Sequence, residues 1–378
     1  MSGYALVASE WGARVAGWDA VRTPYLAALE ERRIEIVISP ELADPPPGFE
    51  VVVSTAYRER AGGSSRAEFL AELVSLRPSI VVAGAHGKTT TSGMIAFCLE
   101  RLGGDPAFVI GGEIPQLGGN AGAGSGWFVV EGDESDRTIE SLRPRIAVVT
   151  NVDIDHHTTF GSRAEVEELY EQWLSEVPHG VRGEALAPVE VELALAGEHN
   201  RRNAACALAA VELAGFDRSR AAAVLAEFRG AGRRLEHRGE AGGVTVLDDY
   251  AHHPAEITAT IAAVRERWPG RVLVLFQPHL YSRTRHLARE FAAALAEADA
   301  VAVTEIYPAR EAPVDGVTGK LIVDAVAERR PGVALAWTPA AADGARFLAR
   351  RAREGDLVLT LGAGDVDRAV PVVLEELA

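Results

Sequence analysis

The segment that most constrains this chain is GAHGKTTT, Gly84 to Thr91. It follows a run of apolar β-formers, SIVVA, and precedes a stretch patterned as a helix to Leu102, where Gly103-Gly104 stops it. A strand–turn–helix of this kind gathers backbone N–H groups and a helix N-terminus around an anion. Lys88 would neutralise the outer phosphates of a nucleotide, and the Thr89 hydroxyl would bind Mg²⁺. The two glycines stand closer together than in the usual GxxxxGK[ST] loop. Composition sharpens the reading: 36 of the 38 basic residues are arginine, and one of only two lysines is Lys88.

The remaining composition bounds the class. A length of 378 residues suggests two or three domains. With 48% hydrophobic and 24% charged residues, the chain is neither disordered, collagen-like nor a disulfide mini-protein. No apolar run is long enough to span a bilayer, and no signal peptide opens the sequence. A net charge of −16 argues against nucleic-acid partners and anionic membranes. Any anionic ligand must therefore be held by local positive groups. Cys98 and Cys206 lie in apolar helical contexts and read as buried thiols of a cytoplasmic protein.

Alternating strand and helix patterns predict an α/β fold with doubly wound parallel sheets in units 1–78, 79–229 and 230–378. In the first, strands are expected at ARVAG (ending near Asp19), IEIVIS (34–39) and EVVVST (50–55), with a helix over 64–76. This unit opens with a helical stretch, YALVASEW, where a doubly wound domain normally has a strand and a Gly-rich turn. The second unit adds strands at FVVEGDESD and IAVVTNVDIDHH and helices near 164–175 and 199–214. The third carries VTVLDD (244–249), VLVLFQ (272–277), AVAVTEIY (300–307) and LVLTLGAGD (357–365).

Several strand ends bring candidate chemistry. Glu131, Asp133, Glu134 and Asp136 crowd one end, and carboxylates beside a phosphate loop suit Mg²⁺. Asp155, His156 and His157 close another, where parallel sheets bind ligands. His199, Asn200 and Asn203 open a helix; the Asn amides suit adenine edges or equally an ordinary cap. In the third unit, Arg233 and Arg234 would brace phosphates, and Arg283 with Arg285 would grip a carboxylate. His252 and His253 stand beside Asp248, Asp249 and Tyr250.

In order along almost the whole chain, GAHGKTTT, EGDESD, TNVDIDHH, GEHNRRNAA, RRLE, DDYAHHPAEI, FQPHLYSRTR, EIYPARE and GDLVLTLGAGD resemble the Mur ligases. DDYAHHP and FQPHLYSRTR point to the alanine-adding group. The resemblance implies three domains, for a UDP-sugar, for ATP with Mg²⁺, and for the amino acid. It implies ligation of L-alanine to the lactyl carboxylate of UDP-N-acetylmuramate through an acyl phosphate. It implies catalytic roles for Lys88, Glu131, His156 and Arg283, with Thr89, Glu131 and His156 on the metal. Gly84, His86, Gly87, Lys88, Thr89, Thr90, His199, Asn200, Asn203, Arg234 and Asp249 would contact the nucleotide. Asp19, Ser54, Thr55, Tyr250, His252 and Arg283 would contact the other substrates. The implied partners are small molecules, and the implied assembly is a monomer or homodimer. Two alternatives remain: a recycling ligase that attaches a peptide to UDP-N-acetylmuramate, and an ATP-binding pseudoenzyme.

The sequence departs from the family pattern in three places. Met1 falls at the Met of the family's GxGGxGM pattern, so the loop that would hold the UDP pyrophosphate is not in this sequence. The interval from His157 to His199 is short, so an abbreviated central sheet is expected. Leu280 stands where some relatives carry Arg.

Overall fold

The computed structural model describes residues 1–54, 57, 62–134, 137–153, 159–309 and 311–378, with Pro24 described in its backbone alone. They form two compact units, Met1–Ala194 with Asn200–Ala231, and Leu195–His199 with Gly232–Ala378.

The first unit opens with helix α1 (Ser2–Glu10), strand β1 (Ala16–Asp19), α2 (Ala27–Glu31) and β2 (Glu35–Ile38). Short strands β3 (Val52–Val53) and β4 (Ser64–Ser65) lead to α3 (Arg66–Leu76). Ser65 and Glu68 start α3 as a reciprocal capping box. The strands pair in parallel as β1 with β2 and β3 with β4. Of the expected strand at 50–55, Val52–Val53 forms, and Thr55 lies outside the described residues.

Next come β5 (Ser79–Ala83), α4 (Lys88–Arg101), β6 (Ala107–Ile114), β7 (Gly119–Gly122), β8 (Phe128–Glu131) and β9 (Ile146–Val149). They are followed by α5 (Arg163–Ser175), β10 (His179–Arg182), α6 (Glu198–Leu213) and α7 (Arg218–Leu225). The sheet order is β10-β9-β5-β8-β6-β7, with β6–β7 the antiparallel pair. All five residues of β5 are buried, which is why a central parallel strand reads as an unbroken apolar run. Phe128, Leu142, Tyr170 and Trp173 share the core of this sheet.

The second unit contains β11 (Glu236–Ala241), β12 (Val244–Asp249), α8 (Pro254–Arg267), β13 (Val272–Phe276), α9 (Tyr281–Leu295) and β14 (Ala300–Val303). It ends with α10 (Lys320–Arg329), β15 (Ala334–Trp337), α11 (Ala341–Ala349), β16 (Leu357–Leu361) and α12 (Val370–Leu377). The order is β11-β12-β16-β13-β14-β15, antiparallel between β11 and β12. Alternation along β13 divides the core. Val272, Val274 and Phe276 pack with Ile261 and Phe291 on one face. Leu273 and Leu275 pack with Leu348 and Val373 on the other. The α/β expectation is met in both units.

Cys98 and Cys206 are buried free thiols, each pushed up to about 12 by burial. Among the described residues, no helix is long and apolar enough to cross a membrane.

Candidate active site

The turn between β5 and α4 sits where the sheet order places it. β5 lies between β8 and β9, all parallel, so their C-terminal ends align. Val82 stands opposite Glu131, and Ala83 opposite Val149. The loop therefore leaves the sheet with Glu131 on one side and Thr150 on the other. Gly84 (φ +126°) is irreplaceable here, because a Cβ would lie 2.1 Å from Thr150 Oγ1. At Gly87 (φ +81°) a Cβ would lie 2.4 Å from Asn203 Oδ1.

Neighbouring strand ends hold the loop. Thr150 Oγ1 donates to the His86 carbonyl at 2.6 Å, and Asn151 Nδ2 donates to the same oxygen at 2.8 Å. Asn151 Oδ1 accepts from the His86 N–H at 3.0 Å. The His86 imidazole lies 3.6 Å from Asp153. α4 starts at Gly87 with no side-chain cap, so its first turn presents N–H donors to the loop.

Lys88 curls back within this turn. Its Nζ donates to the Gly84 carbonyl at 2.6 Å and to both Glu134 oxygens at 3.0 and 3.2 Å. Burial pulls the ammonium pKa down, but Glu134, aided by Glu131 and Asp133, outweighs it and holds the pKa above the ordinary lysine value. Glu131 accepts from the Gly111 N–H at 2.6 Å, and Thr89 packs its methyl towards the adjacent Gly112. Thr89 and Glu131 thus flank one stretch of β6 and offer the oxygen donors that a divalent cation takes. Thr90 is buried within α4. His156, together with Asp136, Asp155 and His157, lies outside the described residues.

Asn200 and Asn203 are buried on α6, linked by a 3.4 Å hydrogen bond, with Asn203 against the phosphate loop. His199 belongs to the second unit and packs on Gly197. Asp19 ends β1 and accepts from the Val21 N–H at 3.2 Å. Ser54 directly follows β3.

In the second unit, the aligned ends of β12, β13 and β14 carry an aromatic file. Tyr250 meets His252 (5.4 Å), His252 meets His279 (5.6 Å), and His279 stacks on Tyr307 (5.8 Å). Glu256 organises the turn by accepting from the His252 and His253 N–H groups. Arg234 lies over Tyr250 at 5.3 Å and 3.9 Å from Glu256. Arg283 is buried on α9, with Nη1 3.4 Å from His279 Nδ1. Glu311 holds the start of α9 by accepting from the Ser282 N–H at 2.9 Å, next to Leu280 in a left-handed conformation (φ +72°).

Two expectations change. Arg233 is no phosphate brace: it bonds Asp248 at 2.7 Å and the Gly362 and Gly364 carbonyls at 2.8 Å each. Arg285 does not join Arg283, since residues two apart on a helix face apart, and Arg285 is exposed. Asp249 is buried and accepts from the Ala251 and Leu235 N–H groups at 2.8 Å and from Thr260 at 3.3 Å. Burial raises its pKa to about 6 against the opposing pull of Arg234.

Sequence reasoning missed Thr150, Asn151 and Tyr170. The first two carried a signal, a polar pair immediately after a buried strand. Tyr170 carried none, being one apolar-face position of α5 among several.

The chain matches the family model "Mur ligase middle domain" over residues 82–181 and "Mur ligase, glutamate ligase domain" over residues 233–364. It is 37% identical to the UDP-N-acetylmuramate–L-alanine ligase of Renibacterium salmoninarum, covering 100% of this chain and 94% of that protein. To the enzyme of that name from Streptomyces coelicolor it is 38% identical, covering 100% and 95%. The Renibacterium alignment runs to 441 positions, so that relative carries residues this chain lacks. Among solved structures, the UDP-N-acetylmuramate-alanine ligase of Thermotoga maritima superposes with a TM-score of 0.79 at 25% identity, over 99% of this chain and 96% of that one.

Proposed function

This chain belongs to the Mur ligase family, and we propose that it joins L-alanine to the lactyl carboxylate of UDP-N-acetylmuramate in an ATP-dependent reaction. The observation that carries this reading is likeness over the whole chain: named alanine ligases match 100% of it at 37% and 38% identity, across the phosphate loop and the aromatic file alike. The γ-phosphoryl group passes to the lactyl carboxylate, giving an acyl phosphate and ADP. The neutral alanine amine attacks its carbonyl carbon, and inorganic phosphate leaves from the tetrahedral intermediate.

Each residue group supports one need of that chemistry. Lys88 and the first turn of α4 hold phosphoryl charge. Thr89 and Glu131, with His156, would hold Mg²⁺, which when bound offsets the repulsion between triphosphate and carboxylate. Arg283 pairs with the alanine carboxylate, with Tyr250 and His252 beside it, and so positions the amine. Gly84, His86, Gly87, Thr90, His199, Asn200, Asn203, Arg234 and Asp249 serve the nucleotide. Asp19, Ser54 and Thr55, in segment 1–78, serve the UDP-sugar; 79–229 is the ATP segment and 230–378 the amino-acid segment. Two buried free thiols and small soluble substrates fit a cytoplasmic enzyme.

The test offers the full chain ATP, Mg²⁺ and UDP-N-acetylmuramate with either L-alanine or a cell-wall tripeptide, and weighs the product. The alanine adduct alone is expected. A peptide adduct would make this the recycling ligase, and ATP binding without any adduct would make it a pseudoenzyme.

A further inference from the structure

The EIYPARE run, Glu305 to Glu311, supplies no residue to the proposed reaction, yet Tyr307 and Glu311 hold the start of the helix that carries Arg283. α9 begins at Tyr281 with Leu280 as its cap residue, and a leucine has no side-chain acceptor for the first N–H groups. Leu280 is also strained, at φ +72° and ψ +134°. Such a conformation persists only where its surroundings dictate it. Here the Leu280 N–H donates to the Tyr307 carbonyl at 3.0 Å. Its own carbonyl accepts from the Thr284 N–H at 3.1 Å and from the Thr284 hydroxyl at 2.8 Å.

Glu311 supplies the missing cap. Its carboxylate accepts from the Ser282 N–H at 2.9 Å and from the Ser282 hydroxyl. Tyr307, four residues earlier, donates its N–H to the Pro278 carbonyl at 2.8 Å and stacks its ring on His279. Glu305 closes the base of the loop by accepting from the Gly319 N–H at 3.2 Å. Arg283 directly follows Ser282, and its Nη1 lies 3.4 Å from His279 Nδ1. Burial alone would raise the Glu311 pKa, but Ser282, the Tyr281 N–H and the Arg283 charge outweigh it and hold the carboxyl below its ordinary value. Near neutral pH the cap is therefore always an anion.

We propose that Glu311 is a positioning residue for the amino-acid substrate: by capping α9 from the loop after β14, it fixes the first turn of that helix and aims Arg283 at the substrate carboxylate. Glu311 acts on the amino acid through Arg283, not by touching it. Its influence therefore falls on the amino acid and spares the nucleotide and the sugar.

This inference rests on the reading that Arg283 pairs with the alanine carboxylate, and one kinetic series separates the two. Initial rates of the full chain are measured with alanine, ATP and UDP-N-acetylmuramate varied in turn. The proteins are wild type, Glu311→Ala, Glu311→Gln, Arg283→Ala and the double variant of Glu311→Ala with Arg283→Ala. Glu311→Ala should raise the KM for alanine about tenfold, the scale of a lost charge-assisted cap. The other two KM values and kcat should stay within about threefold. Glu311→Gln keeps an acceptor for the Ser282 N–H and should recover most of the loss. Added to Arg283→Ala, Glu311→Ala should change the alanine KM by less than about twofold, because the side chain it aims is gone. An unchanged alanine KM in Glu311→Ala, beside the expected rise in Arg283→Ala, overturns this inference alone. An unchanged alanine KM in Arg283→Ala overturns the carboxylate reading and this inference with it, and a wild type without turnover overturns the ligase reading from which both follow. Equal effects of Glu311→Ala in both backgrounds, or rises in all three KM values, would make Glu311 a structural cap only and overturn the proposal. Should Glu311→Ala not fold, Ser282→Ala decides: loss of its hydroxyl donor should raise the alanine KM about threefold, and no change refutes the cap.

Discussion

Thr150 donates its hydroxyl to the His86 carbonyl at 2.6 Å, tying the end of β9 to the loop after β5. The same hydroxyl fills the space where Gly84 would carry a Cβ. One threonine thus fixes both the path of the loop and the identity of its first glycine. Thr150→Val keeps the shape and removes the donor, leaving Asn151 as the second holder of that carbonyl. Stability should fall by about 1 kcal/mol, and the KM for ATP should rise about fivefold. Thermal unfolding and steady-state kinetics on the variant check both.

Lys88 to Met should reduce turnover by about a thousandfold, because phosphoryl charge then develops without its cationic clamp. The same change removes the Lys88 ammonium from the buried Glu134, costing about 3 kcal/mol of stability. Adding Glu134→Gln should restore much of that stability and none of the activity. Melting curves and phosphate-release rates on the single and double variants separate the two roles.

Arg283→Ala should raise the KM for alanine by 10- to 100-fold, roughly the loss of one charge-assisted pair. The KM for ATP should stay within about twofold. Initial rates with each substrate varied in turn measure the split, and equal rises in both KM values would place the carboxylate grip elsewhere.

Arg233 gives the opposite outcome. Its guanidinium joins Asp248, fully buried on β12, to the Gly362 and Gly364 carbonyls after β16. Arg233→Met should cost about 3 kcal/mol of stability, since it strands a buried carboxylate. At temperatures where the variant is folded, the KM for ATP should be unchanged.

How much of this was legible in the sequence depended on whether the cause was local. β5 and its loop were readable because a buried parallel strand is apolar throughout and the turn needs glycine at Gly84 and Gly87. Hairpin β6–β7 has no strand signal in the sequence: its Gly111, Gly112, Gly119 and Gly122 oppose strand propensity. At Gly122 the reason is tertiary, as a Cβ would meet the Phe108 ring at 2.4 Å. Strand β15, ALAW, is a half-buried edge with little pattern. Glu134 stood out only as one acid among four, because its bond to Lys88 depends on β8 lying next to β5, and sheet order is not written in any local window. Arg233 was misread for the same reason: beside Asp248 it bonds two carbonyls more than a hundred residues away, at Gly362 and Gly364.

Asp249 predicts a pH dependence. Its pKa is about 6 in the folded chain against an ordinary 3.8, so the native state holds the proton more tightly. The stability this provides is complete below about pH 4 and lost as pH rises through about 6, by up to about 3 kcal/mol. Asp249→Asn should flatten that fall. Unfolding free energies from pH 4 to 7 for the two proteins isolate the contribution, and parallel curves would assign the slope to other groups.

The central claim is tested most directly by phosphate release from the 378-residue chain with ATP, Mg²⁺ and UDP-N-acetylmuramate, with and without L-alanine. Release that requires both UDP-N-acetylmuramate and L-alanine, matched mole for mole by the alanine adduct, is the predicted result. Release that is indifferent to alanine, or that follows another amine instead, would contradict it.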